Sequence, residues 1–322
     1  MAAGNDSPLS DFGRLRTLYI IMNMTSSAPA KTILFGEHAV VYGEPAIAIP
    51  LLNIRTYAKI HPSDKEFRLI SENTGMNTTY NELDPASGIK KLLDLLMDEL
   101  SISNLPPVNL QISSDIPIAS GLGSGAALSV AVIREFSQYF QKHLSNERIN
   151  EIAFEIEKIY HGFPSGIDNT TITYETPIIF SKSDGFTRLT ADISKLPLLI
   201  IDSGIHSETV NVVSDVKKNY DNNKTYIKEI GSLVKTAKEA LGNGNLKEIG
   251  KLMNENQRLL SQINVSCKEL DHYIGIARQN GALGSKLTGA GRGGNFIVLA
   301  GDPEHRTQLK SIYESMGLRV FL

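Results

Sequence analysis

The 322 residues are long for one globular domain and sufficient for two that share a cleft, and 41% hydrophobic with 21% charged residues is the balance of a folded chain, not a disordered one. A formal net charge of -3, with Lys and Arg scattered among Asp and Glu, leaves no basic stripe to neutralise a nucleic-acid backbone, so no nucleic-acid partner is expected. The single cysteine, Cys267, cannot close an intrachain disulfide, and the seven dispersed histidines have no zinc-ligand spacing, so any metal is expected to be a hard cation held by oxygens.

Residues 1–24 contain one short apolar run, Leu18-Tyr19-Ile20-Ile21-Met22, too short to span a bilayer and without the basic start and cleavage pattern of a signal peptide. They are expected to be a loose extension, or sequence upstream of a true start at Met22 or Met24, and no membrane partner is expected. Residues 32–35 and 40–42 are apolar runs bracketing Gly36-Glu37-His38 and predict strand, tight turn, strand; residues 51–60 continue in alternating style. Residues 88–100 carry apolar side chains at helical spacing, and 108–112 alternate as a half-buried strand. After a loop and a glycine-rich turn, residues 126–140 are long enough for a helix.

The next helix starts near Ser145 and places Ile149, Ile152, Ala153, Ile156 and Tyr160 on one face, until Gly162 and Pro164 stop it. Residues 170–173 and 177–180 read as strands before the turn Ser183-Asp184-Gly185, and 198–202 as a buried strand. Helices are then expected over 227–241, 246–263 and 267–279, followed by strands at 285–288 and 295–299, a last helix, and a strand over 318–322. Mixed strands and helices in both halves predict an α+β chain with a division near residue 196, giving domains 25–196 and 197–322.

Three glycine-bearing segments and one lysine carry the chemistry. Pro117-Ile118-Ala119-Ser120-Gly121-Leu122-Gly123-Ser124-Gly125-Ala126 joins a strand to a helix by a loop with uncovered amides. Amides converging on a helix N-terminus, with its positive dipole end, suit phosphate. No Gly-Lys-Ser/Thr follows, so it is not a Walker loop, and the intervening Pro117 loop argues against a dinucleotide turn. Lys286-Leu287-Thr288-Gly289-Ala290-Gly291-Arg292-Gly293-Gly294-Asn295 lies between two strands, a backbone kept thin for close approach or a flexible hairpin. His161-Gly162-Phe163-Pro164-Ser165-Gly166-Ile167-Asp168-Asn169 is a loop with an acidic residue entering a strand. Lys31 interrupts an apolar strand, as a snorkelling edge residue or a buried functional ammonium.

Residues 26–43, 117–127 and 284–297 together resemble, in order and spacing, the three motifs of the GHMP small-molecule kinases, over nearly all of the chain from Ser26. Gly36-Glu37-His38-Ala39-Val40-Val41-Tyr42-Gly43 and the segment ending in Asp168-Asn169 are similar to the mevalonate kinase branch of that family. The resemblance implies ATP as phosphoryl donor, mevalonate as small-molecule acceptor, a place in isoprenoid biosynthesis, and a cytoplasmic enzyme with a homodimer left open. It implies a GHMP fold: an N-terminal domain with a left-handed βαβ unit, against the usual right-handed rule, packed on a ferredoxin-like C-terminal domain.

By the same resemblance Pro117, Gly121, Leu122, Gly123, Ser124, Gly125 and Ala126 wrap the ATP phosphates. Asp168 is the catalytic base, and Lys31 beside it stabilises the alkoxide and the transferring phosphoryl group. Glu37 and His38 contact the acid substrate, His38 at its carboxylate, with Ser165 and Thr209 nearby. Mg2+ falls to Glu157 and Ser124, although helical geometry alone does not choose between Glu155 and Glu157, which flank the apolar face on opposite sides. Two positions depart from the family: Gly125 stands where mevalonate kinases have a serine that joins the metal shell, and Arg292 replaces a glycine of the third motif. The competing expectations are a GHMP kinase for phosphomevalonate or a sugar, and a GHMP-fold sensor without catalysis; the sensor has no reason to keep both Lys31 and Asp168.

Overall fold

The computed structural model describes residues 25–321 except 118, 119, 162, 163, 207 and 208. The expectations for residues 1–24 and for Gly162 as a helix stop therefore lie outside the described residues.

The chain opens with β1 (Ser26–Phe35) laid antiparallel on β2 (Ala46–Pro62). The hairpin β3 (Arg68–Ser71) and β4 (Met76–Thr79) follows, then α1 (Gly88–Glu99), β5 (Val108–Ser114), α2 (Ser124–Tyr139), α3 (Asn146–His161), α4 (Ile167–Tyr174) and the hairpin β6 (Ile178–Ser181) and β7 (Gly185–Arg188). Among the described residues these form a seven-stranded sheet ordered β4-β3-β5-β2-β6-β7, with β1 added on β2. β3 and β5 pair in parallel with α1 in the connection between them, so a βαβ unit sits in an otherwise antiparallel sheet.

The second half contains β8 (Leu198–Asp202), α5 (Thr209–Lys218), α6 (Tyr220–Gly242), α7 (Leu246–Gln262), α8 (Lys268–Gln279), β9 (Gly284–Leu287), β10 (Asn295–Leu299), α9 (Pro303–Ser315) and β11 (Arg319–Phe321). Its four strands run antiparallel in the order β11-β8-β10-β9. Numbered from β8, that is strand order 4-1-3-2 in a βαββαβ chain, the ferredoxin-like arrangement. The period of two along its central strands divides the apolar side chains between two cores. Leu198 and Ile200 face a large cluster continuous with the first sheet, while Leu199 and Ile201 face a second cluster built on α8, α9, Phe296 and Tyr313. No helix among the described residues is long and apolar enough to cross a membrane.

Two local expectations are corrected. Residues 40–42 are not a strand but part of a 3-10 turn, Ala39–Tyr42. The turn buries Ala39 and Val40 by bonding Val40 N–H to Gly36 O and Glu44 N–H to Ala39 O, so these apolar side chains reach the interior without a ladder. Residues 170–173 are likewise not a strand but the middle of α4. Their β-branched preference is overridden because the hydroxyl groups of Thr170 and Thr171 donate to Gly166 O and Ile167 O, at 2.6 and 2.7 Å, in a helix buried along most of its length. Asp168 consequently stands in the first turn of a helix instead of at the mouth of a strand. The sequence reading also missed the β3–β4 hairpin, β7 and α5, all short or polar.

Candidate active site

Three elements converge on one point. β1 supplies Lys31, whose backbone N–H donates to Leu122 O at 3.0 Å and whose Nζ donates to Gly121 O at 3.1 Å. The same ammonium, only 3% exposed, lies 3.0 Å from Asp168 Oδ2, contributed by α4. The positive end of the α4 dipole favours a carboxylate at that place. Lys31 is therefore a buried ammonium that ties the glycine loop to the acid of α4, and the edge-residue alternative falls away.

The loop leads into α2 through Gly123, left-handed at φ 78, with no side chain capping the helix. A Cβ at Gly123 would lie 2.9 Å from Ile172 Cδ1 and 3.1 Å from Lys31 Cγ, so only glycine lets the loop press against both. Ser124, Gly125 and Ala126 open the helix, and an uncapped N-terminus with a lysine alongside is suited to an anion. Leu122 is fully buried and anchors the loop, while Ser120 donates its hydroxyl to Pro117 O at 2.9 Å.

The glycine segment 286–295 closes over the loop 117–126 from the other half of the molecule. Asn295 Nδ2 donates to Ser120 O at 2.5 Å, and Gly289 and Gly294 lie against Gly121 and Ser120. Thr288 shares a 2.9 Å hydroxyl bond with Thr32 and donates to Ile33 O at 2.9 Å, fastening β1 to the end of β9. The segment is not a flexible hairpin. A Cβ at Gly291 would stand 2.0 Å from Val265 O, and Arg292 is held at φ 54 by its N–H to Val265 O, its guanidinium to Asp215 at 2.7 Å and its Nε–H to Asn264 O. Arg292 is thus a clasp to α5 and the α7–α8 loop. Thr288, just after β9, and Asn295, at the start of β10, were not singled out in the sequence, although two polar residues flanking the glycine run 289–294 were the available signal.

Glu157, on α3, is 3% exposed, and burial followed by the charge of Asp168 pushes its carboxyl up to about 8, with Lys31 pulling the other way. A Cβ at Gly125 would lie 3.4 Å from Glu157 Oε1. Glu155 points outward, more than half exposed, and pairs with Lys158, so of the two acids it is Glu157 that lies at the site. Among the described residues no group of three or more His, Cys, Asp or Glu side chains stands ready for a metal. Magnesium does not need one, because one or two carboxylates, water and the phosphates suffice, and two acids that repel each other beside an anion site are a donor set of that kind.

The carry-overs on the acceptor side fare unevenly. Glu37 is fully buried, and its two oxygens are taken by Lys286 Nζ and, at 3.2 Å, by Asn256 Nδ2, so its carboxylate holds β9 and α7 together instead of reaching a ligand. His38 adopts φ 61 and donates Nε2–H to Ala290 O at 2.9 Å; burial, helped by the charge of Arg292 and opposed by that bond, pushes the ring down to about 4. The ring is therefore neutral near pH 7. Ser165 Oγ accepts from Ile167 N–H at 3.3 Å beside Asp168. Thr209 begins α5, and its side chain lies outside the described residues, as do Gly162 and Phe163.

Glu157 makes a testable difference to stability without metal. The folded protein keeps this carboxyl protonated to about pH 8 and the unfolded chain only to about 4.5. Between those values the native state holds the extra proton, so stability falls as pH rises, reaches its full penalty above pH 8 and is unaffected below 4.5. Glu157→Gln is expected to flatten the pH dependence of Tm in EDTA between pH 5 and 8. Parallel wild-type and variant curves would count against the buried-acid assignment.

Comparisons with known proteins show what the chain is similar to. The family model for the GHMP kinases N terminal domain matches residues 87–176, and that for the GHMP kinases C terminal region matches residues 237–317. The mevalonate kinase of Thermococcus onnurineus is 34% identical over 92% of this chain and 94% of its own length. The crystal structure of L. major mevalonate kinase in complex with R-mevalonate superposes with a TM-score of 0.77 at 31% identity, covering 91% of this chain and 92% of that one. The Methanococcus jannaschii mevalonate kinase superposes with a TM-score of 0.81 at 30% identity, covering 92% and 96%.

Proposed function

The chain belongs to the GHMP kinase family, and on that premise we propose that it transfers the γ-phosphoryl group of ATP to the 5-hydroxyl of mevalonate, giving 5-phosphomevalonate. The observation that carries the reading is the 3.0 Å pair of Lys31 and Asp168 beside the uncapped start of α2. Phosphoryl transfer asks a protein mainly for position and charge, and this arrangement supplies both. In this reading residues 117–126 receive the phosphates, Asp168 takes the proton of the acceptor hydroxyl, and the Lys31 ammonium steadies the developing alkoxide and the moving phosphoryl group.

Glu157, with Asp168 close by, is read as the holder of Mg2+, which neutralises phosphate charge when bound. Ser124 is the second oxygen donor of that reading. In this reading His38, Ser165 and Thr209 are assigned to the acceptor by the family resemblance, and the buried Glu37, bonded to Lys286 and Asn256, holds the wall behind them. Residues 25–196 form the nucleotide-binding and catalytic domain and 197–322 the ferredoxin-like domain that closes the cleft, in a cytoplasmic enzyme. The test is a coupled ADP-release assay with Mg-ATP and racemic mevalonate, set against phosphomevalonate, galactose and homoserine. Turnover is expected with mevalonate; its absence, or faster turnover with another acceptor, overturns the assignment.

Gly125 allows a gain-of-function check on the metal. Its φ is ordinary, and an added Cβ meets nothing closer than Glu157 Oε1 at 3.4 Å, so a hydroxyl fits there. Gly125→Ser is expected to tighten the Mg2+ dependence of nucleotide binding by about threefold or more, as one added oxygen ligand should. An unchanged magnesium titration would remove position 125 from the metal's surroundings.

A further inference from the structure

The ends of α4 and β1 far from the reacting groups are joined to the body of α2 by one charged network. α4 stops at Glu175, left-handed at φ 48, and the Glu175 carboxylate takes both terminal nitrogens of Arg55 at 3.0 Å from β2. Arg134, from α2, adds Nη1 to the same carboxylate at 2.5 Å, donates Nη1 to Ser27 O at 2.8 Å and donates Nη2 to Thr173 O at 2.8 Å. Arg55 Nε–H completes the circuit to Ser27 Oγ at 3.0 Å. Burial alone would push the Glu175 carboxyl up, yet Arg55 and Arg134 hold it below the ordinary range.

Each tied element carries one part of the site. Ser27 and Lys31 are on β1, Arg134 and Ser124 are about 15 Å apart along α2, and Glu175 caps the short helix that begins with Asp168. A helix of eight residues has little stability of its own, so its orientation is set by what grips its ends. Here the grip is a planar fork on a carboxylate plus a guanidinium on a terminal carbonyl, a geometry that resists sliding and rotation. None of these three side chains touches the reacting groups.

We infer that the Arg55–Glu175–Arg134 network is a positioning device that sets the mutual register of Lys31, the phosphate-binding end of α2, and Asp168. The inference rests on the phosphoryl-transfer reading above. A mere surface ion pair would be worth little and would leave turnover alone. A register device instead acts on kcat, because an error of about 1 Å between reacting groups costs up to about a hundredfold.

The test measures kcat, KM and Tm for the wild type, Glu175→Gln, Arg134→Lys and Leu309→Ala, using Mg-ATP and racemic mevalonate. Leu309 is fully buried in the second core on α9 and serves as a stability control remote from the network. Both network variants are expected to lose about tenfold in kcat with either KM within about twofold, whereas Leu309→Ala lowers Tm at least as far and keeps its kcat. Arg134→Lys keeps the charge but not the second guanidinium nitrogen that reaches Thr173 O, so its loss separates geometry from net charge. Unchanged kcat in both network variants beside an active wild type overturns the inference. So does a kcat loss that Leu309→Ala reproduces, or a network variant that does not fold, since either makes the cluster a stability element. An inactive wild type removes the functional reading itself, and the inference with it.

Discussion

Asp168→Asn is expected to lower kcat by about 10²–10⁴-fold while the KM for ATP stays within about twofold, because a positioned base contributes about that much and touches the nucleotide little. The substitution is close to isosteric and keeps an oxygen for Lys31 at the present 3.0 Å, so the pocket is preserved while the proton acceptor is lost. Asp168 is 27% exposed in the first turn of α4, so losing its favourable interaction with the helix dipole should cost only about 0.3–1 kcal/mol. A second consequence separates base from scaffold. The charge of Asp168 helps push Glu157 up to about 8, so the variant should titrate Glu157 at lower pH, visible in the pH dependence of metal-free Tm. Steady-state kinetics decide the first point, and near-normal kcat ends the assignment of Asp168 as base.

Lys31→Met should cost about 10²–10³-fold in kcat, the usual loss when a preorganised charge aimed at the transition state is removed. Unlike Asp168→Asn it should also raise the KM for ATP, because the Nζ contact to Gly121 O that anchors the phosphate loop disappears. The fold should survive. Lys31 N–H still bonds Leu122 O, methionine fills the 3%-exposed channel, and the orphaned Asp168 carboxylate retains contact with water. That solvent contact reduces the penalty that breaking a fully buried pair would carry. Kinetics with a melting curve distinguish the outcomes: a variant that does not fold returns Lys31 to a structural role, and turnover within tenfold of wild type defeats the electrostatic one.

Features with a local cause were legible along the chain. The helix expected over 88–100 announced itself through apolar spacing, the one over 126–140 through the length of its apolar segment, and the strands at 108–112 and 198–202 through alternation or a short apolar run; they form at 88–99, 124–139, 108–114 and 198–202, because such patterns report which face is buried. The glycine loop before α2 was readable as an anion site for a similarly local reason: amides at a helix start have no partner unless something supplies one. Asp168 and Lys31 were ambiguous as single residues, and only the ordered set of motifs, through its resemblance to a family, brought them together.

Reading failed where side chains answer to neighbours distant in sequence. Thr170 to Thr173 carry strand-forming residues yet form a helix, because the surrounding core accepts it and the threonine hydroxyls find carbonyls within the turn. Glu37 sits in a motif that promised substrate contact, but Lys286, 249 positions away, takes its carboxylate. His38 is a titratable ring in sequence and a neutral one in the fold, since its proton affinity depends on burial and on Arg292.

Arg55, Arg134 and Glu175 look like ordinary surface charges until β2, α2 and α4 pack and close them into one network. Periodicity along the chain thus indicated a mixed α+β fold and the glycine loop an anion site, because both follow from short-range geometry and solvent preference, whereas ATP and mevalonate came only from the resemblance to a family. Which acid is buried, which histidine is neutral and which arginine steers a helix were settled by packing, because charge energies depend on distance and dielectric in three dimensions.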